Sequence, residues 1–187
     1  MKRIASVILT GALILSMGAA AFAATPSKTV ADEIKAVAAV ETTGFDRVSI
    51  STEETEATVA QSAEVVAELA SSTEELKEAV GATAEEKVEI TAVQTVTIEQ
   101  TPLFNRTEAT VSLSSAVIDA AYKENEQVTV LVMVPVVGKD GTVTYEKIAV
   151  TGVVKNGKVQ VKLTGAQLKK IGKKSVTLVA TKKTAKV

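Results

Sequence analysis

The run from Val128 to Val137 constrains the fold most. Val128, Val130, Val132, Val134 and Val136 fall on one side of a strand of period two, and Thr129, Leu131, Met133, Pro135 and Val137 on the other. Both sides are largely apolar, so this strand has to sit inside a sheet with side chains packed above and below it. Pro135 has no amide hydrogen to donate to a ladder and is expected near a strand end or a sheet edge.

Short turns surround this run. Gly138-Lys139-Asp140-Gly141 leads into a strand over 142–150, and Asn156-Gly157 joins 152–155 to 158–163 as a hairpin, because both residues tolerate the positive φ that a tight turn needs. Thr164 and Gln167 have capping-box spacing and open one helical turn through Leu168 and Ile171, which Gly172 stops before a strand over 175–181. Upstream, Val88, Ile90 and Ala92 alternate, then Val96 and Ile98 continue in the other register, which predicts a bulge near Val93. Pro102 ends that strand, and a strand over 107–113 and a short helix over 115–122 follow. About seven antiparallel strands with short connections predict a small sandwich or barrel. The stretch from Lys158 through the Thr164 turn to Thr181 resembles the late strands of bacterial immunoglobulin-like surface modules, and that likeness of pattern implies a sandwich.

The half before this reads as helical and acidic. Val59, Ala63, Val66, Ala67 and Ala70 share one helix face, and a second helix over 73–80 has Ser72 and Glu75 at capping-box spacing and Gly81 as its C-cap. Residues 29–40 fit either period, with their Ala content favouring helix, and Val48 and Ile50 suggest a short strand. The expected class is therefore α+β, with an acidic helical segment at 24–86 followed by a Lys-rich, immunoglobulin-like antiparallel β-sandwich at 87–187. Ahead of both, Lys2 and Arg3, the apolar run from Ile4 to Gly18 and Ala21-Phe22-Ala23 have the order of an export signal cleaved after Ala23. An extracytoplasmic location and no transmembrane segment after cleavage follow as expectations. With no Cys, lipid attachment at the cleavage point is closed.

Charge is divided along the chain. Residues 24–100 hold 16 acids against 5 bases, a net of −11, whereas 101–187 hold 14 bases against 6 acids, a net of +8. From Lys147 onward there are eleven Lys and no acid. Such a stretch suits an anionic polymer of the cell envelope or an acidic protein surface. The candidate contact comprises Lys155, Lys158, Lys162, Lys169, Lys170, Lys173, Lys174, Lys182 and Lys183. The alternative is self-association, the acidic half of one molecule meeting the basic half of the next.

Little catalytic chemistry is available. Cys, His and Trp are absent, which removes thiolate nucleophiles, imidazole bases and the usual nitrogen and sulfur ligands of zinc. The acidic runs Glu53-Glu54-Thr55-Glu56, Glu74-Glu75 and Glu85-Glu86 adjoin helix starts, where carboxylates complement the helix dipole. Four scattered Asp make no calcium loop, and Phe45, Phe104, Tyr122 and Tyr145 are too few for a stacking platform on sugars or nucleic acid. A non-enzymatic interaction or structural module at the envelope, without a cofactor, is the expectation.

Overall fold

The computed structural model describes residues 34–44 and 47–185, so the export signal read over 1–23 lies outside the described residues. Eight strands form one sheet: β1 (Val37–Thr43), β2 (Ser49–Ser51), β3 (Glu86–Gln100), β4 (Glu108–Ser114), β5 (Gln127–Val137), β6 (Val143–Lys155), β7 (Lys158–Thr164) and β8 (Ser175–Ala185). Their order across the sheet is β1-β4-β7-β6-β5-β8-β3-β2, and all the strand pairs are antiparallel. The sheet curls until its first edge returns to β3, where Lys35 makes a parallel bridge to Val93 and the Ala36 N–H donates to the Val93 carbonyl at 2.9 Å. The result is a nearly closed, barrel-like sheet with few helices. The immunoglobulin-like sandwich is not confirmed, because one continuous ladder takes the place of two facing sheets. The strands expected at 142–150 and 152–155 are a single β6, and β1 and β2 bring the total to eight.

β5 is covered on both faces, as its composition requires. Val130 and Val132 point into the barrel with Val176 and Leu178 of β8 and Val159 and Val161 of β7. Leu131 and Met133 point outward, where Val179 of β8, Val88 and Val93 of β3 and two helices cover them. These helices are α1 (Glu56–Ser71) and α2 (Thr73–Val80). Pro135 lies beyond the last β5–β8 pair, Met133 with Thr177. Only β6 still runs beside it there, with Pro135 opposite Tyr145, and its carbonyl accepts a bond from Lys174 Nζ at 3.2 Å.

Two local readings change. The end of the 29–40 segment is lead-in and strand, not helix: Ala36 and Ala38 alternate into the barrel, and β1 pairs with β4 from Val37 opposite Ser114 to Thr43 opposite Glu108. Residues 29–33 lie outside the described residues. The helix preference of Ala is a weak prior, and a free edge of β4 overrides it. On α1 the buried side chains are Thr58, Val65, Val66 and Leu69, while Val59 is exposed, so the inward face is rotated by about one residue from the expected one. Polar groups on that face find partners. Thr58 closes a capping box with Thr55, and the Ser62 hydroxyl lies 2.7 Å from Thr95 Oγ1, which itself meets Thr177 Oγ1 at 2.8 Å.

The bulge of β3 falls at Thr91, between Ile90 and Ala92, two residues before its expected place. Thr91 Oγ1 meets the buried Tyr122 hydroxyl at 2.8 Å, so the extra residue satisfies a polar group at the barrel end. Gly81 adopts the expected left-handed cap at φ 65°, but Ser72 makes no side-chain cap bond. Its capping partner is engaged elsewhere: Glu75 accepts from Lys147 Nζ at 2.9 Å, and Glu68 lies 3.3 Å from the same ammonium.

Lys147, on β6, thus clamps both helices to the sheet. The bond to Glu75 raises its pKa above the ordinary lysine value, with Glu68 adding to the effect against partial burial. A folded-state pKa above the unfolded one gives stability that is present below the unfolded value and is lost as pH rises through the folded one. Lys147→Met is expected to cost about 1 kcal/mol at neutral pH. Urea melts repeated from neutral to strongly alkaline pH should show the wild-type advantage shrinking above the ordinary lysine pKa. An undiminished advantage there would assign the loss to packing of the lysine stem.

Candidate functional site

One end of the barrel gathers cations and exposed apolar groups. Helix α4 (Gly165–Ile171), the next after the one-turn α3 (Ile118–Ala121) between β4 and β5, leads from the end of β7 to the start of β8. Its capping box is complete: the Gln167 N–H donates to Thr164 Oγ1 at 3.3 Å, and the Thr164 N–H donates to Gln167 Oε1 at 2.8 Å. Leu168 and Ile171 are buried in the barrel cluster and stopper this end. With those two facing inward, Lys169 and Lys170 are left outward, and Gly172 at φ 76° turns the chain so that Lys173 and Lys174 follow, also exposed.

Neighbours on either side fix α4. Gly165 packs on the β3–β4 loop so closely that a Cβ there would lie 2.9 Å from the Asn105 Cα and the Phe104 carbonyl oxygen. On the other side Lys170 Nζ meets Glu146 Oε1 at 2.6 Å, and Lys174 bonds the Pro135 carbonyl. Between α4 and the loop lies an open groove of about 810 Å³, lined among others by Leu103, Phe104, Arg106 and Lys169. Lys169, Lys173 and Arg106 make no ion pair among the described residues, so their charge is available to a partner.

The nine candidate lysines do not form one face. Lys169, Lys170, Lys173 and Lys174 come together at the α4 end. Lys155 and Lys158 face each other across the β6–β7 turn at the opposite end. Lys162 stands midway on the outer side of β7, 3.9 Å from Glu108. Lys182 lies 5.3 Å from the centre of the Tyr122 ring, and Lys183 Nζ reaches the Gly81 carbonyl at 3.5 Å, both far along β8 from Lys174. The residues that sequence reasoning passed over are Arg106, Leu103 and Phe104, together with Val136, Val137 and Val143 of the β5–β6 hairpin, all exposed. The placement of Leu103 and Phe104 directly after Pro102, in a connection between two strands, was the available signal.

Each acidic run has a member engaged structurally. Glu54 pairs with Lys35 at 2.7 Å, Glu74 with Lys77 at 3.4 Å and Glu75 with Lys147. Glu86 Oε2 accepts the Thr83 N–H at 2.7 Å, and this bond holds its carboxyl below the usual range. Among the described residues no three His, Cys, Asp or Glu side chains converge as metal ligands, and no helix is long and apolar enough to cross a membrane. No family model matches the chain, and no curated protein or solved structure matches it either.

Proposed function

We propose that this chain is an exported, non-catalytic binding module of the cell envelope that holds an anionic partner at its α4 end. The observation that carries the reading is that three exposed cations with no ion pair among the described residues, Lys169, Lys173 and Arg106, are gathered on a capped helix, its exit and the loop locked to it, beside a groove lined by Leu103 and Phe104. The export-type N-terminal sequence and the absence of Cys and His support the same reading. Pairing of acidic and basic halves between molecules is less favoured, because Lys147 already joins Glu68 and Glu75 to the sheet within one chain.

Co-sedimentation with isolated cell envelopes over a range of salt tests this. A contact made by exposed cations weakens steeply as ionic strength rises. Replacing Arg106, Lys169 and Lys173 together by Ala should abolish the salt-sensitive part of binding, while Lys155→Ala with Lys158→Ala should leave it. Equal loss from both sets, or none from either, would remove the α4 end as the contact.

A further inference from the structure

We propose that the α4 end docks on an anionic lipid bilayer, with Leu103, Phe104, Val136 and Val137 entering the membrane interface and Lys169 and Lys173 meeting the headgroups. This rests on reading the α4 end as the contact for an anionic partner and names that partner's chemistry.

The distribution of exposed apolar side chains carries it. Seven large hydrophobic residues are exposed among those described, and five of them, Leu103, Phe104, Val136, Val137 and Val143, lie at this end. Leu103 is 79% and Val137 69% exposed. They occupy the tips of two separate connections, with α4 and its lysines between them. The β5–β6 hairpin overshoots its neighbours: its ladder to β8 stops at Met133 and its ladder to β7 at Gly152, so the strand ends carrying Val136, Val137 and Val143 run past both. A soluble polyanion would use the cations and leave these apolar tips in water. A bilayer accepts both, since its interface takes up apolar side chains while anionic headgroups draw the lysines beside them. Among the described residues, three acids near this end each have a partner within the chain, and one of the three partners is a cation. Glu146 pairs with Lys170, Asp140 accepts the Thr142 N–H at 3.0 Å within its own turn, and Glu99 accepts from Ser49 at 2.6 Å.

The chain contains no Trp, so one introduced indole reports its own surroundings. Full-length Phe104→Trp and Val137→Trp chains, with Val37→Trp at the far end of β1 as comparison, would be titrated with phosphatidylcholine vesicles with and without one-third phosphatidylglycerol. The expected result is a blue shift, and quenching by brominated lipid, at positions 104 and 137 on the anionic vesicles, with none at position 37. Adding Lys169→Ala and Lys173→Ala to the Phe104→Trp chain should weaken partition about twenty-five-fold, from a factor of about five per lysine. Shifts of equal size at all three positions would mean that another segment, such as the apolar run Ile4 to Gly18, drives adsorption, and would overturn the proposal. So would a shift unaffected by the lysine substitutions or seen equally on neutral vesicles. If no position shifts while the Arg106, Lys169 and Lys173 substitutions still abolish envelope binding, the bilayer is wrong and the anionic contact stands, with a polymer or an acidic protein as partner.

Discussion

Truncating Leu131 to Ala is expected to lower the unfolding free energy by about 2–5 kcal/mol, the usual range for a fully buried Leu. Leu131 is completely buried on the outward face of β5, against the cluster that Val65, Val66 and Leu69 of α1 share with Leu76 and Val80 of α2. Leu178, equally buried, is its counterpart inside the barrel, and Leu178→Ala should cost a similar amount. The pair decides whether the acidic helices are part of the folded unit. If they merely trailed from the sheet, Leu131 would face water already and its loss would cost well under 1 kcal/mol, with Leu178→Ala alone remaining severe. Urea unfolding followed by circular dichroism measures both values.

Replacing Gly165 by Val should damage stability and binding together. Even a single Cβ at this position would come 2.9 Å from backbone atoms of Phe104 and Asn105, so α4 or the β3–β4 loop has to move. Forcing bulk into such a contact costs about 1–3 kcal/mol. Because the same loop presents Leu103, Phe104 and Arg106, its displacement should also weaken envelope binding at a temperature where the variant is fully folded. Gly172→Ala makes a useful contrast. Nothing lies within 4 Å of a Cβ there, and its φ of 76° makes the substitution costly through backbone strain, not through the loop. Binding that survives Gly165→Val undiminished would show that the α4–loop packing does not set the contact.

Much of the sheet was legible because the signals are local. The two-faced apolar run of β5, the Asn156-Gly157 turn and the Thr164–Gln167 capping box each act within a few residues, and each appears where the pattern placed it. What sequence periodicity does not carry is which strand lies beside which. β3 pairs with β8 across most of the chain, and β1 returns to β4, so one curled sheet and two facing sheets share the same local alternation. Polar residues on a buried face mislead in the same way. The apolar face read on α1 includes neither Thr58 nor Ser62, yet Thr58 is buried with Thr55 as its partner and Ser62 meets Thr95 of the sheet.

The candidate surface was legible only in part. Lysines adjacent in sequence became neighbours where a helix turn and its exit hold them, at Lys169, Lys170, Lys173 and Lys174. Strand geometry dispersed the rest. β7 carries Lys158 and Lys162 away from α4 at more than 3 Å per residue, and most of the length of β8 separates Lys174 from Lys182. Leu103, Phe104 and Val137 count as core material by composition; the break at Pro102 hints at the first two, and the fold shows that all three stand outside the core.

Amide chemical-shift mapping during titration with solubilised envelope material tests the α4-end contact most directly, because it locates the contact without altering the chain. The expected perturbations fall on Leu103–Thr107, Val136–Val143 and Lys169–Lys174 and fade as salt is added. Perturbations centred on Lys155–Lys158 and Lys182–Lys183, or spread evenly over the sheet, would contradict it.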